Sequence, residues 1–179
     1  MKIPAGDVLS DLHNFASNER KEKNEYFFKT GKNSYSEGDI FMGVRMPQIR
    51  KIAKTFVIID FEELEKLITH EIHEVRLCAL VILVLKYKKG NIRERKLVLN
   101  FYLAHKKWIN NWDLVDVSAH YVLGQAILDG LIPEKYLDEL VGSEILWDRR
   151  IGMVATWIII RSGNVQPTLR LAKKLLHDQ

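Results

Sequence analysis

The stretch Asn110-Asn111-Trp112-Asp113-Leu114-Val115-Asp116 opens a long helix-like segment and sets the pattern for the rest of the chain. Its part Trp112-Asp113-Leu114-Val115 aligns with His73-Glu74-Val75-Arg76 before it and with Trp147-Asp148-Arg149-Arg150 after it, at spacings of 39 and 35 residues. Each aligned segment lies in a long helix that follows a shorter one. Such a period is typical of helical-hairpin solenoids of the HEAT type, in which each pair of helices buries its apolar stripe against its neighbours. The sequence therefore predicts an all-α fold.

Helical periodicity extends over almost every segment between turn residues, with glycines at the ends of apolar patterns and prolines in first helical turns. The predicted helices lie at about 7–30, 47–56, 61–69, 73–89, 92–105, 111–128, 134–141, 144–161 and 167–176. Together they predict one HEAT-like domain over residues 1–179. The last helix is the first member of a pair without its second member, so we expect the chain to be truncated at its C-terminus.

Composition places the chain among globular proteins of a reducing compartment. Of its 179 residues, 47% are hydrophobic and 28% charged, which suffices for one core. The formal net charge of +4 favours a polyanionic partner such as nucleic acid. Cys78 is the single cysteine and lies in an apolar run, which predicts a buried, inert thiol. The chain has no signal-peptide core or apolar run near the roughly 20 residues of a membrane span, so we expect a cytoplasmic protein.

Trp112 and Asp116 lie four residues apart and are predicted to project from one helix face, while Leu114 and Val115 turn toward the core. An indole beside a carboxylate suits a ligand that is both flat and cationic. The alternative is structural, because an aspartate near a helix start is commonly a cap or a partner of the helix dipole. Asn110 or Asn111 can supply the cap and Asp113 the dipole partner, which leaves Asp116 as a candidate site residue or a member of a structural salt bridge.

Other patterns have structural interpretations. Arg149 and Arg150 can form an ion-pair network with Asp148. The string His70-Glu71-Ile72-His73-Glu74 lacks the i, i+4 histidine pair of a metallohydrolase helix, so no metal site is predicted. The lysines of 86–89 lie in a last helical turn and are assigned to the helix dipole. The tryptophans assigned to the core are Trp108, Trp147 and Trp157.

Four motifs follow one another along the chain: Tyr26-Phe27-Phe28-Lys29-Thr30-Gly31, Phe41-Met42-Gly43-Val44-Arg45-Met46-Pro47, the central 110–116 stretch and Leu146-Trp147-Asp148-Arg149-Arg150. In this order they resemble the AlkD-like DNA alkylation repair proteins, from about residue 20 onward. The resemblance implies a HEAT-like α-solenoid whose concave, basic surface holds duplex DNA. It also implies a monofunctional glycosylase, without a cofactor, that excises cationic N3-alkyladenine and N7-alkylguanine without flipping the base.

The resemblance also implies roles for particular residues. Asp116 corresponds to the family's catalytic aspartate and Trp112 to the tryptophan beside it. The residues at DNA-contacting or cleft-lining positions are Tyr26, Arg45, Arg149 and Arg150. The family has a second cleft tryptophan in a helix past residue 179, and full activity is not expected of a chain that ends before it.

A single carboxylate suits this chemistry. Glycosidases usually need two, because one acid must protonate the leaving oxygen while the other stabilises the sugar cation. An alkylated purine that is already positive needs no such acid, so Asp116 alone can stabilise the sugar and orient a water. The alternative is a module without catalysis, which binds DNA structures or proteins through a HEAT-like fold.

Overall fold

The computed structural model describes residues 3–32 and 34–178, and its regular structure there is helical apart from one isolated β-bridge between Ile40 and Ile72. Four residues lie outside the described part of the chain: Met1, Lys2, Asn33 and Gln179. The predictions of no signal peptide at the N-terminus and of a truncation at the C-terminus fall partly on them. The predicted all-α fold of successive helical pairs is confirmed. Among the described helices, none has the length and apolar character that crossing a membrane requires.

The helices follow the predicted order closely. They are α1 (Ala5–His13), α2 (Asn18–Phe28), α3 (Met46–Thr55), α4 (Phe61–Ile68), α5 (His73–Lys89), α6 (Ile92–Ala104), α7 (Trp112–Ala119), α8 (Gln125–Leu128), α9 (Tyr136–Val141), α10 (Leu146–Arg161) and α11 (Gln166–Lys174). A 3₁₀ turn at Lys106–Trp108 precedes α7, and a π-helical turn at His120–Gly124 joins α7 to α8. The chain divides into two compact units, one up to Lys86 and one from Tyr87 onward.

The prediction of one helix at 7–30 is wrong, because the chain breaks between α1 and α2. Asn14 ends α1, and the side chain of Ser17 accepts a hydrogen bond from the Arg20 amide at 3.4 Å as the cap of α2. The backbone N–H of Ser17 donates to the Met42 carbonyl at 3.1 Å. A serine cap and a tertiary backbone bond therefore replace the helical bonds that a continuous helix would make.

Buried charges fix the loop before α3 in the N-terminal unit. The Glu74 carboxylate, 2% exposed, accepts hydrogen bonds from the amides of Met42, Gly43 and Val44 at 2.9–3.3 Å. Because a buried carboxylate is costly without such donors, these bonds anchor the loop to α5. Gly43 has φ +81°, and a Cβ there would lie 2.2 Å from the Ser17 carbonyl oxygen, so this position requires glycine.

His73 and Arg76 also serve the core of this unit. Arg76 donates to Asp39 at 2.6 Å, and His73 Nδ1 lies 3.2 Å from the same carboxylate. His73 and Glu74 of the 70–74 string thus belong to hydrogen-bond networks. The thiol of Cys78 is fully buried as predicted, and burial raises its pKa to about 12.

In the C-terminal unit α10 packs against α7, the π-helical turn, α9 and α11. The side chains between these elements are buried: Leu114, Val115, Ile151, Ala155 and Ile159. Gly124 allows the π-helical turn to approach α10 closely, because a Cβ there would lie 2.2 Å from the Ala155 carbonyl oxygen. This close approach aligns α7 with α10 and so determines which side chains of the two helices meet.

Candidate active site

The start of α7 leaves both Trp112 and Asp116 partly exposed. Asn111 caps the helix, and its side chain accepts from the Trp112 amide at 2.8 Å. Leu114 and Val115 are fully buried, whereas Trp112 and Asp116 are both partly exposed. The predicted division between a core face and an outward face is therefore confirmed.

Asp116 is paired with Arg150 of α10. Nη2 of Arg150 lies 2.9 Å from each carboxylate oxygen, and Nε lies 3.1 Å from Oδ1. The Asp116 and Arg150 side chains are 41% and 39% exposed. Solvent screens such a half-exposed pair, and its net stabilisation is on the order of 0–1 kcal/mol. The ion pair therefore orients both side chains, but either side chain can exchange its partner for another charged group at a low cost in free energy.

Arg149 has different partners. It donates to the carbonyls of Ser143 and Glu144 at 3.1 and 2.9 Å, and its Nε donates to the Asp178 carboxylate at 2.8 Å. Asp148, the neighbour predicted as an ion-pair partner, is paired with Lys106 instead. The two adjacent arginines thus make different contacts. Arg149 binds carbonyls of the loop before α10, whereas Arg150 binds the Asp116 carboxylate.

A cavity of about 440 Å³ opens beside the Asp116–Arg150 pair. The residues that line it come from α7, the π-helical turn, α10 and α11: Asp116, His120, Arg150, Met153, Val154, Thr156, Trp157, Ile160 and Thr168. Trp112 is not among them. The indole that shares a cavity with Asp116 is therefore that of Trp157.

The assignment of Trp157 to the core is wrong, because this side chain is 45% exposed. The apolar run of α10 extends around most of the helix, and only the side that carries Ala155 and Ile159 is buried against neighbours. Trp157 follows Arg150 by seven residues, or two helical turns, and lies on the face of Arg150. That spacing was the signal in the sequence that could have placed it near Asp116. Trp108 and Trp147 are half-buried.

His120, in the π-helical turn, lines the same cavity and contacts Trp157 of α10. It is 8% exposed and meets Trp157 edge to face, with ring centroids 4.6 Å apart and an interplanar angle of 87°. Burial lowers the pKa of His120, and the positive charge of Lys88 lowers it further, while Asp116 opposes the shift. His120 therefore presents a neutral ring at neutral pH.

Cations lie over the neighbouring aromatic rings. Nζ of Lys88 is 3.5 Å from the centre of the Tyr121 ring, and the Arg161 guanidinium is 5.2 Å from that of Trp157. Basic groups interleaved with aromatic rings are typical of nucleic-acid-binding surfaces. The sequence assigns the lysines of 86–89 to the helix dipole, and that assignment does not predict the contact between Lys88 and Tyr121.

Tyr26 and Arg45 belong to the N-terminal unit. Tyr26 lies near the end of α2 and is 89% exposed, and Arg45 is exposed at the start of α3. The loop that carries Arg45 is the one anchored by Glu74. Both side chains are accessible to a ligand, as a role in DNA contact requires.

Successive helical pairs, an open cavity shared by Asp116 and Arg150, and cationic side chains over neighbouring aromatic rings define an all-α protein with a candidate site. The family model described as DNA alkylation repair enzyme matches residues 8–179, and the chain belongs to this family. The resemblance seen in the four motifs is thereby confirmed. A search of curated proteins finds no match to the chain.

Proposed function

We propose that the chain is a DNA glycosylase of base-excision repair, which hydrolyses the N-glycosylic bond of N3-alkyladenine and N7-alkylguanine in duplex DNA without flipping the base. The observation that carries this proposal is the half-exposed Asp116 carboxylate, held by Arg150 at an open cavity. Membership of the DNA alkylation repair family supports DNA as the substrate. The positive charge of both lesions explains why one carboxylate is enough.

In the proposed reaction the bond between C1′ and the purine nitrogen breaks first, and its electron pair leaves with the purine, which becomes neutral. The sugar acquires an oxocarbenium-like positive charge, which the Asp116 carboxylate stabilises. Asp116 also orients a water whose oxygen bonds to C1′ as its proton is lost to the carboxylate or solvent. Trp112 is partly exposed one helical turn before Asp116 and does not line the cavity; in the proposal it packs against the deoxyribose and excludes other water.

Arg150 links DNA binding to the release of Asp116. A guanidinium that holds a carboxylate in a fork can hold a phosphate in the same way. When a DNA phosphate approaches, Arg150 can exchange one oxygen of Asp116 for a phosphate oxygen and leave the carboxylate facing the sugar. The low net stability of the half-exposed pair makes this exchange inexpensive. Tyr26 and Arg45 are the further DNA contacts in the proposal. Arg149, which the resemblance also places at a DNA-contacting position, acts instead through the loop that it holds before α10.

The second candidate is a HEAT-like module that binds DNA structures or proteins without catalysis. The Arg150–Asp116 pair is the observation that favours this binding module, because a carboxylate neutralised by an arginine in the free protein does not by itself attract a cationic base. The two candidates differ in one measurement. Incubation of the protein with methylated duplex DNA should release free N7-methylguanine and leave abasic sites, while a binding module should shift the DNA in a gel and release nothing.

The structure separates the expected effects of the two arginines. Arg150→Ala should weaken DNA binding and reduce the slope of log K against log salt by about 0.9, the value for one lost phosphate contact. Arg149→Ala should leave that slope closer to the wild-type value and lower the thermal stability, because Arg149 holds two loop carbonyls and Asp178. Titration of a fluorescent duplex at several salt concentrations measures both slopes.

An unchanged slope in Arg150→Ala would remove Arg150 from the DNA interface. A slope for Arg149→Ala that falls by as much as that for Arg150→Ala would place both arginines on phosphates. Wild-type binding without any dependence on salt would contradict DNA binding through either residue.

A further inference from the structure

We infer that Trp157 is a contact residue for the damaged nucleotide, and that His120 is the positioning residue that holds its indole. The inference rests on the proposed function, in which Asp116 acts on the sugar of that nucleotide. It assigns the aromatic wall of the cavity to α10, because Trp112 of α7 does not line that cavity.

The position of Trp157 is the first support. Its side chain is 45% exposed although it is large and apolar, and it lines the cavity that Asp116 and Arg150 share. Met153 and Ile160 of the same helix extend the apolar wall. A nucleotide whose sugar meets Asp116 and whose phosphate meets Arg150 would therefore have its remaining surface beside this wall. Exposed apolar surface next to polar groups is typical of binding sites.

The way the indole is held is the second support. His120 is nearly buried and meets Trp157 edge to face at 4.6 Å, an arrangement that fixes the tilt of the ring. His120 lies in the π-helical turn, and such turns are frequent at functional sites. It also follows Asp116 by four residues, so one helix face carries both the carboxylate and the residue that orients the indole.

The chemistry of the ligand is the third support. The negative face of an indole attracts a positive charge within about 6 Å of its ring, so a nucleotide with a cationic purine is favoured over a neutral one without the base leaving the duplex. Arg161 already lies over this ring at 5.2 Å, which shows that the indole accepts a cation. Because Arg161 is exposed, a cationic purine can displace it, and its guanidinium is then available for a phosphate. Trp157 should thus contribute to the discrimination between alkylated and undamaged DNA.

The test uses two duplexes of the same sequence, one with a single N7-methylguanine on a 2′-fluorinated sugar and one undamaged. The fluorine destabilises the sugar cation and prevents excision, so binding is measured without reaction. We define the discrimination as the dissociation constant for the undamaged duplex divided by that for the damaged duplex. We expect Trp157→Ala to lower this ratio about tenfold, the effect of one cation–π contact, and Trp157→Phe, which keeps an aromatic ring, to preserve most of it.

Leu146→Ala is the matched control, because Leu146 lies in the same helix, has the same exposure of 45% and does not line the cavity. It should leave the discrimination unchanged. His120→Ala should lower the ratio in the same direction as Trp157→Ala, and adding it to Trp157→Ala should cause little further loss. Far-UV circular dichroism and melting curves show whether each variant is folded.

The result separates the inference from the proposed function. If Trp157→Ala and Leu146→Ala both keep the wild-type ratio, the inference is overturned, whatever the wild-type protein releases from methylated DNA. If the wild-type protein releases no base but its discrimination depends on Trp157, the glycosylase proposal fails and the contact residue stands. A wild-type protein that binds both duplexes equally also overturns the inference.

Discussion

Asp116→Asn is expected to slow the release of N7-methylguanine by about a hundredfold to a thousandfold while leaving DNA affinity nearly unchanged. A carboxylate about 4 Å from a full positive charge contributes about 4 kcal/mol at an effective dielectric constant of ~20, and about 1.4 kcal/mol corresponds to a factor of ten in rate. The positive charge on the sugar is present in the transition state and largely absent from the bound substrate, so the carboxylate charge of Asp116 stabilises mainly the transition state. Its loss should therefore appear in the rate of bond cleavage rather than in binding.

The substitution at Asp116 removes little besides the negative charge, because asparagine keeps the shape of the side chain and one oxygen that can accept from Arg150. Single-turnover kinetics with excess protein isolate the cleavage step, and an electrophoretic shift gives the affinity. Asp113→Asn is the control, since it removes a negative charge from the first turn of the same helix without touching the cavity. Unchanged release by Asp116→Asn would remove Asp116 from the mechanism.

The helical pairs could be predicted from the sequence because each helix carries a local signal. The 73–76, 112–115 and 147–150 segments repeat at a solenoid period, and glycines and prolines mark the helix ends. The Ser17 cap is a local signal, but the break at 14–17 also depends on a bond between Ser17 and Met42, which are distant in sequence. A local pattern contains no information about such a partner.

The candidate site was predicted in part for the same reason. The outward face of α7 follows from the spacing of Trp112 and Asp116, a property of one helix. The pairing of Asp116 with Arg150 joins residues of two helices, and it depends on how those helices pack. Trp157 was assigned to the core because its neighbours in sequence are apolar. Composition indicates that a run can be buried, but only the packing of α10 determines which side of it is covered.

The packing of α10 against the π-helical turn depends on Gly124. Gly124→Ala is therefore the second substitution with a large expected effect. Intrinsic propensity favours alanine in a helix by about 0.5–1 kcal/mol. Here a Cβ would lie 2.2 Å from the Ala155 carbonyl oxygen and 2.6 Å from Cγ2 of Ile158. The carbonyl belongs to the backbone of α10, so the clash can be relieved only by moving the helix. We expect a net loss of about 3 kcal/mol in the free energy of unfolding, at the upper end for overpacked cores.

Gly152→Ala is the matched control within the same unit. It has the same advantage in helix propensity, but its added Cβ would meet Cγ2 of Val141 at 3.0 Å and Cβ of Leu140 at 3.2 Å, contacts that require shifts of only a few tenths of an ångström. Small adjustments relieve such contacts, so its stability should stay within about 1 kcal/mol of the wild type. Urea unfolding of both variants gives the comparison, with the midpoint and the slope reported separately.

The same substitution connects stability to the site. Displacement of α10 from the π-helical turn moves Trp157 away from His120 of that turn, and it moves Arg150 away from Asp116 of α7, which continues directly into the turn. Gly124→Ala should therefore slow base release at temperatures where the variant is still folded, while Gly152→Ala should not. Unfolding of Gly124→Ala at or above the wild-type urea concentration would mean that α10 stands farther from the turn in solution. The Asp116–Arg150 geometry would then lack the support that the proposed mechanism requires.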